Sequence, residues 1–404
     1  MSDRVAKSTL RALLALAVLT GCTTLPVPSV STLPTPTLAG PTPTLAPTAS
    51  PVPITSPTAS PSPTATPDGP SPYTSISLPA DVTQFENANG RYLAAHGPRG
   101  IFWTGRQILL RDLSFGTAHS LFKLSIGQTL GAWAIGEKYA VIVEGRYERH
   151  PNRVPCETAG TLSWRMWVID TSFLVPTPKQ IHEGVQQRDI GCGAAWPVVA
   201  VDGARIAWAR ESGDPDGTQW RVTVETVDGA VESAYDAGRQ VDDLELSASG
   251  LAFVQGESDL HGQMSDRSLH VATTGAADLT DLGSGPFTVE LAGDRVVWTE
   301  QLPGSDCLCP GIIRSASLGD LAPDGVGPTA TTQGAISAFG DFVSDVGAAI
   351  ELRTLSTDAW YLVTPTEGAV NVSIEGGWLT WTEEVGDQSA QFFYGVPIEE
   401  LPLD

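Results

Sequence analysis

Few residues in this chain have the type and spacing to do chemistry. Four cysteines lie beyond residue 100, at Cys156, Cys192, Cys307 and Cys309. Cys156 and Cys192 enclose 35 residues, and a disulfide closing such a loop adds about 3–4 kcal/mol in the loop-entropy picture. Cys307-Leu308-Cys309 leaves two outcomes open: a strained bond across one residue, or a bond from each to one of the distant cysteines. A metal would need further soft ligands, and none of the six histidines adjoins the Cys-x-Cys pair, so neither metal nor other cofactor is expected. Asp214 and Asp216 are weak calcium candidates, since hard cations favour clustered carboxylates. A plain Pro-Asp-Gly turn accounts for the same residues. Arg146, Tyr147, Arg149, His150 and Arg153 form a basic cluster suited to an acidic polymer or protein, or to a solvated loop. Trp164 and Trp167 are candidates for an exposed aromatic contact. No catalytic residue is assigned, because the Gly-x-Ser-x-Gly elbow is absent and converging carboxylate pairs cannot be picked out of one sequence.

The chain that positions these residues begins with a targeting pattern. Arg4, Lys7 and Arg11 make a basic start, and Ala12 to Leu19 an apolar stretch. That stretch is far shorter than the roughly 20 residues a membrane-spanning helix needs. It ends in Leu19-Thr20-Gly21-Cys22, which resembles the lipobox of bacterial lipoproteins. The resemblance implies removal of residues 1–21 and acylation of Cys22 with diacylglycerol and palmitate-type chains. The expected location is then extracytoplasmic, on the cell membrane or outer membrane of a bacterium. An oxidising compartment also favours pairing of the remaining four cysteines.

Residues 22–72 should be a lipid-anchored linker. Positions 23–72 hold 15 prolines, with no charge from Thr23 to Pro67. Proline fixes φ and lacks an amide donor, so this stretch predicts a disordered, extended polyproline-rich stalk rather than a packed core.

Residues 73–404 read as one all-β domain, with short alternating runs such as Arg221 to Val227 closed by Asp228-Gly229. One phrase recurs, with tryptophan five residues after glycine: Gly203 to Trp208, Gly293 to Trp298 and Gly376 to Trp381. Looser versions centre on Trp103, Ile142, Phe253 and Val343, and the seven landmarks are separated by 39, 66, 45, 45, 45 and 38 residues. Periods of about 40–50 residues indicate the four-stranded blades of a β-propeller. Seven blades are expected, or six if the one around Trp103 is excluded. The 66-residue step predicts an inserted loop at about 145–192. Trp208, Trp298 and Trp381 should be core. One strand near Gln391 to Val396 leaves the last blade with three strands, and Ser75 to Leu78 is the expected fourth, closing the ring.

The recurrent phrase resembles those of TolB-like and WD-repeat-like bacterial propellers, a likeness that implies a fold and no activity. Ser212 to Trp220 also resembles the Asp-box of sialidase-type propellers, with one residue too many before the glycine.

From residue 73 on, 44 acidic residues face 20 basic ones, a formal charge of −24. Such acidity repels nucleic acid and argues against it as a partner. The expectation is a monomeric, non-catalytic module binding a protein or glycan, with the membrane as its other partner through the lipid. The alternative is a propeller hydrolase or lyase acting on extracellular glycans.

Overall fold

The computed structural model describes residues 73–403 except 81, 89, 150–159, 189–194, 212–218, 259–263, 302–310, 329–335, 347–348, 358, 365, 367 and 386–389. Its strands fall into seven sheets, each an antiparallel meander A-B-C-D. Blade 1 comprises Arg91–His96, Arg99–Thr104, Gln107–Asp112 and Thr117–Lys123; blade 2 comprises Thr129–Ile135, Tyr139–Arg149, Gly160–Asp170 and Lys179–Arg188. Blade 3 runs through Val198–Asp202, Arg205–Glu211, Trp220–Thr226 and Val231–Asp236, and blade 4 through Gln240–Ser247, Gly250–Ser258, Met264–Thr273 and Thr280–Ser284. Blade 5 has Pro286–Ala292, Arg295–Gln301, Gly311–Ser317 and Asp324–Pro328; blade 6 has Ser337–Phe339, Phe342–Val346, Ile350–Thr354 and Trp360–Thr364. Blade 7 supplies Ala369–Glu375, Trp378–Val385 and Ala390–Pro397 from the end of the chain. The protein is a seven-bladed β-propeller.

All seven sequence landmarks lie on second strands, one per blade. The phrase works because of the hairpin before it. Strand B follows strand A through a two-residue turn in six blades, and Gly203 and Gly293 occupy the first turn position with φ of +53° and +65°. Left-handed backbone there matches the twist of the flanking strands, and only glycine adopts it without strain. Five residues on, the aromatic packs against the neighbouring blade.

The core is correspondingly divided. Seven hydrophobic clusters are buried, each between one pair of adjacent blades. Trp208, Trp298 and Trp381 are all buried, as expected, in the interfaces of blades 2 and 3, 4 and 5, and 6 and 7. Two of these tryptophans are followed by Thr-Glu, and Trp298 Nε1 donates to Glu300 Oε1 (2.7 Å) as Trp381 Nε1 does to Glu383 Oε1 (3.2 Å).

Two sequence expectations need correction. The ring is closed by β2 (Thr83–Ala88), paired antiparallel with Ala390–Pro397, and not by Ser75 to Leu78. The latter residues overlap β1 (Tyr73–Ser77), which lies parallel to Trp360–Thr364 as a fifth strand on blade 6 and buries Ile76. The described part of 145–192 is also not an inserted loop. Residues 145–149 and 160–188 mostly continue the strands of blade 2, whose last three strands run 11, 11 and 10 residues.

Antiparallel pairing gives the ring two distinct faces. Every A–B and C–D link emerges on one, and every B–C and D–A link on the other. Among the described residues no helix is long and apolar enough to cross a membrane.

Candidate functional site

Alternation along blade 2 sorts the predicted binding residues by side. In strand B, Ile142, Glu144 and Arg146 pair with Trp167, Arg165 and Ser163 of strand C, and this side packs toward blade 1. Trp164 and Tyr147 lie on the other side, toward blade 3. Trp164 is 2% exposed. It meets Trp208 edge-on at 6.3 Å and lies across Gly184, so it is a core residue. Tyr147 is half-buried and packs over Gly160.

Arg146 is exposed and pairs with Glu148 at 3.3 Å. Trp167 is half-buried beneath the Arg165 guanidinium, which sits 5.9 Å from its ring, and Phe122 of blade 1 lies 5.5 Å away. Glu144, fully buried, organises this patch. It accepts the Ser125 amide (2.8 Å), the Ser125 hydroxyl (2.9 Å) and Trp167 Nε1 (3.3 Å), and lies 3.2 Å from Arg165. Buried charge is tolerated only when paired and hydrogen-bonded in this way. Sequence reasoning missed Arg165, although period-two alternation places it beside Trp167.

The remaining candidates lie outside the described residues: Cys22, His150, Arg153, Cys156, Cys192, Asp214, Asp216, Cys307 and Cys309. The strand position of Arg149 is described but its side chain is not. Cys156, His150 and Arg153 belong to the B–C link of blade 2, Cys192 to the next D–A link, Asp214 and Asp216 to a B–C link, and Cys307 and Cys309 to another. The described strand ends that flank these links lie on the B–C face. Among the described residues no group of three His, Cys, Asp or Glu is placed to hold a metal.

A second group of ionisable side chains lies at the opposite end of the A strands. His96 ends strand A of blade 1 and its Nδ1 lies 3.2 Å from Oε2 of Glu375, which ends strand A of blade 7. The same junction carries the backbone bond from Gly97 N–H to Glu375 C=O (3.0 Å). A Cβ at Gly376 would fall 2.9 Å from Gly97 N, so glycine is required for this approach. Asp202 ends strand A of blade 3. Burial pushes its carboxyl above the usual carboxylate range, against the pull of His96 and Arg205 and with the help of Glu137. His96 thus pairs with Glu375 and acts electrostatically on Asp202, and an imidazole grouped with carboxyls can bind polar groups or move protons.

Comparison with protein-family models, and with curated proteins by sequence, gives no match. Among solved structures, the β-propeller domain of the Trilobed protease from Pyrococcus furiosus is similar at 9% identity and TM-score 0.46, over 80% of this chain and 95% of that one. A Myceliophteria thermophila β-propeller domain (Swd1) is 11% identical with TM-score 0.44, over 78% and 99% of the two chains. The acylaminoacyl peptidase of Pyrococcus horikoshii is 10% identical with TM-score 0.48, over 77% of this chain and 51% of that chain. The likeness is one of fold alone.

Proposed function

We propose that this chain is a lipid-anchored, extracytoplasmic propeller that binds a protein or glycan, without chemistry of its own, through the B–C face of blade 2. The supporting observation is sidedness. Arg146 stands toward the B–C end of strand B, next to the link carrying His150 and Arg153, and Arg165 and Trp167 follow on the same side of the sheet along strand C. Around them the protein is strongly acidic, so a basic and aromatic patch selects an anionic ligand by contrast. Scaffold strands with variable links on one face are the usual arrangement for recognition. Retention of the mature protein on heparin, with dextran as the neutral control, tests this reading. Arg146→Ala combined with Arg149→Ala and Arg153→Ala should abolish retention at physiological salt; no retention of the wild type on heparin would sink it. The anchor is tested separately, since Cys22→Ser should eliminate incorporation of a palmitate analogue and release the protein from the membrane fraction.

A second reading rests on His96, Glu375 and Asp202, whose grouping would suit a glycan hydrolase or lyase. Release of new reducing ends from an extracellular polysaccharide, abolished by Glu375→Gln and Asp202→Asn, would establish it in place of the first.

A further inference from the structure

The C–D links of blades 1 and 2 repeat one device. Asp112-Leu113-Ser114-Phe115 and Asp170-Thr171-Ser172-Phe173 are the same pattern, Asp-x-Ser-Phe, at the same place in neighbouring blades. In each, the serine amide donates to Oδ1 of the aspartate two residues back, at 3.0 Å and 2.9 Å. The residue between them is buried, Leu113 and Thr171 alike. An Asx turn held in this way ties down its base and turns the following side chain outward. Phe115 is 79% exposed, Phe173 60%, and the Leu174 and Val175 that follow are 72% and 87%. Val231, at the start of the outer strand of blade 3, is 63% exposed on the same face.

Isolated exposed apolar residues mean little, but a run of them on three successive blades of a highly charged protein marks a contact surface. The longer tip is rigid as well as apolar. The Thr171 hydroxyl accepts from Arg99 (2.9 Å) and donates to the Lys138 carbonyl (2.8 Å), and Pro176 and Pro178 limit the descending limb.

The point at which the described chain begins bears on what this surface meets. Tyr73 begins β1 beside Trp360, where the C–D link of blade 6 enters its last strand. β1 therefore begins on the face that carries the apolar tips, two blades round the ring from Phe115 and three from Phe173. A chain anchored through Cys22 delivers that face to the bilayer.

We propose that the C–D face docks on the lipid bilayer, with Phe115, Phe173, Leu174 and Val175 entering the headgroup–acyl boundary and the B–C face turned away. The tether in this inference rests on the lipid-anchor reading; the affinity of the tips for lipid does not. Lys138 and Lys179 flank the longer tip but are matched by Asp170 (3.6 Å) and Asp228 (3.4 Å), so the attraction is apolar and insensitive to salt.

Flotation of the mature chain carrying Cys22→Ser, with phosphatidylcholine vesicles that carry no net charge, separates docking from anchoring. The unacylated protein should float with the vesicles equally at low and at physiological salt. Phe115→Ser with Phe173→Ser and Leu174→Ser should lower the bound fraction about tenfold or more with Tm unchanged. Val185→Ser, which removes an equally exposed valine from the outer strand of blade 2, should leave it intact. Unacylated protein that stays in the aqueous fraction, binding that disappears with added salt, or equal loss in Val185→Ser would each overturn the proposal. A dimer dispersed by the triple substitution, in place of vesicle binding, would assign the tips to a second copy. If mass spectrometry finds Cys22 unmodified while Cys22→Ser still floats, the anchor reading fails and the docking surface stands.

Discussion

Glu144 shows how a strongly acidic protein can bury a carboxylate. Its oxygens are met by an amide, a hydroxyl, an indole and a guanidinium drawn from the link between blades 1 and 2 and from strand C. Glu144→Ala would leave Arg165 and the Ser125 amide without that anion, so a loss of about 3–5 kcal/mol is expected in urea unfolding. Asp202 behaves in the opposite sense. Burial raises its carboxyl pKa above the unfolded value, so the folded state holds the proton more tightly. The ionised form is therefore a penalty on folding at neutral pH, and the penalty fades as pH falls toward about 4. Asp202→Asn should raise Tm at pH 7, with the gain closing on acidification; an unchanged difference across that range would refute it. Neither role was visible in the sequence, where both residues are simply two of many acids within alternating strands.

At the scale of elements, β1 and β2 have separable duties that five intervening residues do not advertise. β1 adds a parallel strand and one buried isoleucine to a blade already complete. β2 supplies the fourth strand of blade 7 and removes an open sheet edge. Deleting residues through 78 should cost about 2–3 kcal/mol, near the value of burying one large aliphatic side chain. Deletion through 88 should abolish cooperative melting and produce aggregates in light scattering, because Ala390–Pro397 becomes an unpaired edge. Calorimetry of both truncations checks this; equal stability would mean that closure does not depend on β2.

Across the whole molecule, a formal charge of −24 from residue 73 on is spread over a ring whose stability comes from seven separate interblade clusters. Self-repulsion should therefore weaken the fold at low ionic strength. Raising salt from about 10 to about 150 mM shortens the Debye length from roughly 30 to 8 Å and should raise Tm by a few degrees in a thermal melt. The two faces also differ in what they carry. The strand ends that flank the links bearing the cysteines and the basic cluster lie on the B–C side, while the apolar tips and the start of β1 share the other.

The amino-acid sequence by itself determined the all-β class and the seven-fold repeat, because both rest on local rules. Glycine at a left-handed turn position with tryptophan five residues later marks three of the second strands, and looser apolar or aromatic versions at regular spacing mark the other four, which is why all seven landmarks were legible. In blade 2 the sequence predicted an inserted loop at about 145–192, and nothing local said that strands run through it or which side of them would be covered. Only the tertiary structure decided that Trp164 is enclosed while Trp167 lies under Arg165, since that depends on the blade facing each side. It decided too that β2 rather than Ser75 to Leu78 closes the ring. Strand pairing across some 300 residues is selected by the fit of a whole edge, and no local pattern encodes which partner that edge will accept.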